Sequence, residues 1–253
     1  MDFTGKTVIV TGASSGIGAA TARLLSTYGA TLALVGRNQT RLRDVAETCE
    51  NARGVRPLPL LLDLTVDKNC EEVVKQTVSK FKRIDVLVNC AGKAALTSLF
   101  DNNMEIYDDL MALNLRVPYK LTQGCLPYLK KTKGNIVNVF GNPARVRPGF
   151  LPFAMIRDAL ERFTKAGALE LVAEGVRMNA VRPGLTRTNI LTNLNVEDEC
   201  MDQTFDRIAQ ASVPNNVIIQ PEEIARMIVF VASDACPNLN GANLVVDNAA
   251  SSY

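Results

Sequence analysis

Three glycines carry the first chemical signal in this chain. Gly12, Gly16 and Gly18 fall in Thr11-Gly-Ala-Ser-Ser-Gly-Ile-Gly18, after one apolar run and before an amphipathic one. Gly12 permits a sharp turn. Gly16 and Gly18 let backbone approach a ligand and let a helix pack close to its strand. The free N–H groups that open such a helix, together with its dipole, favour phosphate oxygens. The segment therefore reads as a cradle for the pyrophosphate of a dinucleotide, built from Gly12, Ser14, Ser15, Gly16, Ile17 and Gly18. A tight turn without a ligand is the alternative for a glycine loop taken alone. At the end of the next apolar run stands Gly36-Arg37-Asn38. An acid there would hold a ribose 2′-hydroxyl, whereas Arg accepts a 2′-phosphate through paired N–H groups. The nearest acid, Asp44, lies well into the following helical pattern. Arg37 thus predicts NADP(H) in preference to NAD(H), the alternative being an ordinary solvated arginine.

Other chemistry is excluded by composition. The chain has no histidine, which removes a Ser-His-Asp triad, a histidine base and any histidine-ligated metal. No metal is expected. Its six cysteines, at 49, 70, 90, 125, 200 and 236, show no CxxC spacing and read as reduced thiols. A net charge of +2 gives no reason to expect nucleic acid or an anionic membrane as partner. No signal-peptide pattern precedes the first apolar run, no run is long enough to span a bilayer, and Ser-Ser-Tyr is not a peroxisomal tripeptide. A cytoplasmic protein is expected.

The elements that must position these residues alternate in type. Short runs rich in Val, Ile and Leu, at 7–10, 31–35, 56–61, 86–89, 136–139, 177–181 and 243–246, read as strands buried on both faces. Amphipathic segments between them, at 17–28, 39–50, 68–81, 104–129, 153–174 and 222–233, read as helices. The alternation predicts an α/β fold, a single doubly wound parallel sheet of Rossmann type with helices on both faces. Residues 1–253 form one domain in this reading. Residues 184–216 are its one long excursion, with a short helix at 202–211; such a loop borders a substrate or is a variable surface segment.

The glycine spacing and its neighbours resemble the short-chain dehydrogenase/reductase family over nearly the whole chain. Asp63-Leu64-Thr65 resembles the acidic element placed by the adenine ring. Asn89-Cys90-Ala91-Gly92 resembles the Asn-Asn-Ala-Gly strand end, with Cys90 in place of the second Asn. Asn114 falls where the family keeps a structural and catalytic Asn. The run 182–188, with Pro183, Gly184, Thr186 and Thr188, resembles the turn at the nicotinamide end. The closing strand is followed by Asn248-Ala249 where paired glycines are usual. The resemblance assigns Asp63, Leu64, Asn89, Ala91, Gly92, Arg157, Pro183, Gly184, Thr186 and Thr188 to the cofactor, beside the glycine loop and Arg37.

The same resemblance locates a departure. The family uses a Tyr as general acid or base. A Lys four residues on, on the same helix face, lowers the Tyr pKa and holds the nicotinamide ribose. A Ser at the end of the fifth strand orients the substrate oxygen. Here the aligned positions are Phe153, Arg157 and Gly141, with Phe140 the other candidate for the Ser position. No Ser or Thr occurs between Lys133 and Arg162, and none of Tyr28, Tyr107, Tyr119 or Tyr128 has Lys four positions on. Asn114 alone is retained. Loss of a general acid typically costs about 10²–10⁴ in rate, and loss of an oxyanion donor about 10²–10³. The resemblance therefore implies an NADP(H)-binding oxidoreductase homologue with impaired catalysis, a pseudoenzyme acting as ligand or cofactor binder or as a silent subunit. The alternative is an active NADPH-dependent carbonyl reductase or alcohol dehydrogenase with a rearranged site. Asp158 and Glu161 are the nearest carboxyls for such a site, although helix geometry turns Asp158 off the Phe153 face.

Arg145, Arg147 and Arg157 lie among Phe140, Phe150 and Phe153, and Arg182 and Arg187 lie in the other loop expected at the cleft. These residues point to an anionic, partly apolar small-molecule ligand; solvated arginines and core phenylalanines are the alternative. The resemblance further implies a homodimer or homotetramer through the helices at 104–129 and 153–174, or pairing with an active paralogue.

Overall fold

The computed structural model describes residues 1–102, 104–141, 148–194 and 200–252. Seven strands, β1 (Thr7–Thr11), β2 (Thr31–Gly36), β3 (Leu58–Leu61), β4 (Val86–Asn89), β5 (Asn135–Val139), β6 (Arg177–Pro183) and β7 (Asn243–Val246), form one parallel sheet in the order β3-β2-β1-β4-β5-β6-β7. Every pairing is parallel, as in Ile9 opposite Ala33 and Leu87. Parallel neighbours need crossover connections, and helices supply them.

Side-chain alternation along β1 feeds two cores. Val8 and Val10 enter the layer made with α1 (Gly16–Thr27), α2 (Gln39–Arg53) and α8 (Pro221–Ala232). Ile9 enters the opposite layer, with α3 (Asp67–Phe81), α5 (Val117–Thr132) and α6 (Leu151–Leu171). With both faces covered, β1 is buried at all five residues, which is why its central Val8-Ile9-Val10 run is apolar without alternation. The strand order reverses direction between β1 and β4. In a doubly wound sheet that switch point opens a crevice at the carboxyl ends of the strands.

Two expectations are corrected. Arg56 and Pro57 stand outside β3. The helix expected over 104–129 is three pieces: α4 (Glu105–Met111), a π-turn (Ala112–Arg116) and α5. Pro118 has no N–H to give the Asn114 carbonyl four residues earlier, so an unbroken α-ladder cannot run through this point. The excursion after β6 carries a 3₁₀ turn (Asn189–Leu194) and α7 (Met201–Ser212). Its base is closed by a bridge between Thr186 and Ile219.

Candidate active site and nucleotide cleft

The crevice is a single cleft of about 760 Å³, within the usual range for small-molecule sites. Every residue the sequence assigned to the cofactor lines it: the six of the glycine loop, Arg37, Asp63, Leu64, Asn89, Ala91, Gly92, Arg157, Pro183, Gly184, Thr186 and Thr188. Asn114, Phe140, Gly141 and Phe153 line it as well.

The glycine loop is built for backbone contact. A Cβ on Gly18 would stand 2.3 Å from the Gly12 carbonyl oxygen, so the turn closes on itself only without one. Gly12 adopts φ +67° and rests against the backbone of Cys90 and Ala91. Thr11 fixes that neighbour. Its hydroxyl accepts the Cys90 and Ala91 N–H groups at 2.9 and 3.0 Å. The contact uses backbone, so cysteine in place of asparagine at position 90 leaves it intact. The N-terminus of α1 meets the cleft with no acidic residue in its first turn, and the Ser15 side chain makes no bond to the helix's own N–H groups. These features fit a pyrophosphate.

At the adenosine end, the Asp63 carboxylate accepts the Thr65 N–H and hydroxyl at 3.0 and 2.7 Å. Arg37 faces it at 3.6 Å. Burial pulls the Asp63 pKa upward, but the Thr65 hydrogen bonds and the Arg37 charge together hold it below the ordinary carboxylate value. Arg37 is well exposed and within reach of a ligand. Arg41, which the sequence reading passed over, lines the same end.

At the reactive end the Phe153 ring lies over Gly141. A Cβ on Gly141 would meet the ring's Cζ at 3.2 Å and Cε1 at 3.4 Å. Gly141, two residues beyond β5, is thus in contact with position 153. Phe140 is buried in a core cluster with Leu110, Ile156, Leu160 and Ala180. Arg157 binds the Asp158 carboxylate at 2.9 Å. Asn114 is a brace: its Oδ1 accepts the Lys93 N–H at 2.9 Å and its Nδ2 donates to the Lys93 carbonyl at 3.0 Å. A side chain on Gly92 would collide with that amide.

The expected arginine cluster divides. Arg157 lines the cleft, but Arg182 and Arg187 do not. Arg182 lies 5.8 Å from the centroid of the Phe140 ring and pairs with Glu161 at 2.9 Å. The Lys165 hydrogen bond and the Arg182 charge keep the Glu161 pKa below its ordinary value. Arg187 pairs with Asp202 and Asp206 on α7 and covers the Phe205 ring. Asn142, Arg145 and Arg147 lie outside the described residues.

Lys93 is the residue that sequence reasoning missed. It lines the cleft directly after Gly92 and pairs with Asp109. Its place next to the strand-end motif was the available signal. Among the described lining residues there is no Tyr or Glu, and the only carboxylate is Asp63. Cys90, half-buried at the floor, is no nucleophile, because burial pushes its thiol up to about 12.

Residues 12–249 match the profile described as enoyl-(acyl carrier protein) reductase. The 3-oxoacyl-[acyl-carrier-protein] reductase of Thermotoga maritima is 32% identical over 98% of both chains. The meso-2,3-butanediol dehydrogenase of Serratia marcescens is 31% identical over 99% of this chain and 96% of its own. Among solved structures, a short-chain dehydrogenase/reductase of unknown function from Caenorhabditis elegans, determined with cofactor, superposes with a TM-score of 0.92. It is 31% identical and the match covers 98% of this chain and 96% of that one. The fold is a Rossmann-type α/β sheet with a cleft at its switch point. The chain belongs to the short-chain dehydrogenase/reductase family.

Proposed function

We propose that this chain binds NADP(H) in the cleft and is impaired in the proton-transfer half of an oxidoreductase reaction, acting as a ligand or cofactor binder or as a silent subunit. The observation that carries this is the Phe153 ring seated on Gly141, at the place where the resemblance expects a phenol and a hydroxyl. When bound, the nicotinamide supplies or accepts hydride. The glycine loop and the first turn of α1 would hold the pyrophosphate, Arg37 would face the 2′-phosphate, and Pro183, Gly184, Thr186 and Thr188, which line the cleft, would border the nicotinamide end. Phe153 has no proton to give, and Arg157 has no phenol beside it to tune. What the reactive end retains is shape, an apolar wall and positive charge, which fit a small, partly apolar anion.

A second reading has support of its own: relatives along the whole chain carry the names of a reductase and a dehydrogenase. In that reading the chain is a working reductase whose acid lies elsewhere in the cleft. It reduces an acceptor that needs little acid catalysis, such as a quinone. Subunit pairing through α5 and α6, between copies or with an active relative, belongs with the first reading.

Calorimetry with NADPH and NADH tests the cofactor assignment. NADPH is expected to bind at micromolar or tighter affinity and more tightly than NADH. Arg37→Ala is expected to weaken NADPH by about 10-fold or more and leave NADH unchanged, as for a lost charge-assisted contact. Absence of binding by either nucleotide refutes the assignment. NADPH consumption with a carbonyl and quinone panel separates the two readings: turnover at rates typical of enzymes overturns the first.

A further inference from the structure

We propose that Lys93 and Arg157 together hold the carboxylate of an aryl or alkyl carboxylate ligand at the reactive end of the cleft, with its apolar body on the phenylalanine wall. This deepens the proposed function by naming the ligand class. It rests on that reading only in taking the cleft as a ligand site.

Both cations line the cleft. Each is paired with a carboxylate that looks outward. The Lys93 side chain is 17% exposed and Asp109 62%, and Arg157 is 19% exposed against 67% for Asp158. The two cations are thus largely buried while their counter-charges are exposed. Rim pairs of this kind are half-solvated and weak, so a ligand oxyanion exchanges with them readily. Among the described lining residues, nothing negative stands beside the two cations. Asp63, the only carboxylate among the described lining residues, stands at the opposite end beside Arg37.

Lys93 is also held in place. Its N–H and its carbonyl are both taken by the Asn114 side chain, so the base of this flexible side chain is fixed. Around the cations the wall is Leu96, Phe150, Phe153 and Ile156. Two inward cations over an apolar, ring-rich surface are complementary to one oxyanion on a flat or extended hydrocarbon.

The test uses 2-naphthoate and its uncharged counterpart 2-naphthylmethanol. The chain has no tryptophan, so naphthalene fluorescence is read against little background. The naphthoate is expected to bind at least about 10-fold more tightly than the alcohol, from charge-assisted bonds made only by the carboxylate. Lys93→Met and Arg157→Met are each expected to weaken naphthoate about 10-fold and leave the alcohol unchanged. Asp109→Asn, which frees Lys93 from its partner, is expected to tighten naphthoate. Thermal melting checks that each variant is folded. Equal affinity for the two probes overturns the proposal, as does a folded Lys93→Met protein that binds naphthoate like the parent. An NADPH titration of the parent protein keeps the two readings apart. No NADPH binding with naphthoate selectivity intact defeats the cofactor assignment alone, and NADPH binding without naphthoate selectivity defeats this proposal alone.

Discussion

Rebuilding the absent groups tests the central reading most directly. The perturbation is Gly141→Ser, Phe153→Tyr and Arg157→Lys in one protein. The Phe153 carbon nearest an added Cβ on residue 141 is Cζ, at 3.2 Å. Cζ is also the carbon that carries the hydroxyl in tyrosine. A serine and a tyrosine at these positions therefore bring their two hydroxyls to the same spot, once the ring has backed off by a few tenths of an ångström. Gly141→Ser alone presses on the ring without that gain and is expected to destabilise by about 1 kcal/mol, at the low end for overpacking. Arg157→Lys replaces a guanidinium held by Asp158 at 2.9 Å with an ammonium that can stand beside the new phenol one helical turn back. A restored general acid is worth about 10²–10⁴ in rate and an oriented hydroxyl about 10²–10³, and the two are not additive. A gain of at least about 10² in NADPH-dependent carbonyl reduction is the expected outcome, followed as loss of NADPH absorbance with a panel of diketones and aldehydes. Failure to gain in a folded triple variant that still binds NADPH would refute the reasoning, because the missing chemistry would then lie elsewhere. A parent already as fast as the variant would refute it from the other side.

Three further outcomes follow from individual positions. Gly18→Ala places a Cβ 2.3 Å from the Gly12 carbonyl oxygen, and is expected to cost about 3 kcal/mol or more and to remove nucleotide binding; parental NADPH affinity in this variant contradicts the cradle. Ala249 adopts φ +61°. Relieving that left-handed backbone with Ala249→Gly returns about 1–2 kcal/mol, offset by about 0.4–1 kcal/mol of unfolded-chain entropy. A net gain of about 0.5 kcal/mol raises Tm by about 1–2 °C, and a lowered Tm contradicts the strain. The Asp63 pKa is depressed in the folded protein. Its stabilisation is therefore present above the ordinary carboxylate pKa, and is lost as pH falls through the folded value. Asp63→Asn is expected to flatten the fall of Tm between about pH 5 and pH 3 relative to the parent; an unchanged acid limb removes the Asp63 contribution.

Much of this architecture was legible in the sequence, because parallel strands buried on both faces must be continuously apolar. The Val8-Ile9-Val10 run at the centre of β1 shows it. The cofactor end was legible for a related reason, since glycine is required where a Cβ would strike backbone, as at Gly18. The break in the helix at 112–116 was carried by Pro118, but helical periodicity masked it, because a single π-turn shifts the apolar face only slightly. Side-chain partners were not legible. Arg182 and Arg187 were expected to face a ligand, yet Glu161 and Asp202, 21 and 15 residues away in sequence, take them. Lys93 shows the converse. No local pattern reports that the Asn114 amide, 21 residues on, fixes its backbone in the cleft.

The two ends of the cleft differ in what they are made of, and that difference governs what a substitution does to each. The nucleotide end is chiefly backbone and helix terminus: Gly12 against Cys90 and Ala91, and Thr11 bonding their N–H groups. Cys90 can stand in an asparagine's place there because none of those contacts uses its side chain. The reactive end is made of side chains at the carboxyl end of β5 and the start of α6, where Phe153 and Gly141 fit one another as a large and a small surface. A ring against a hydrogen, in place of a phenol and a hydroxyl, leaves no buried polar group unpaired at that contact, so the fold accommodates the pair. On the proposed reading, nucleotide binding and proton transfer therefore rest on different parts of the cleft, so substitutions at Gly18 and at Phe153 are expected to separate them.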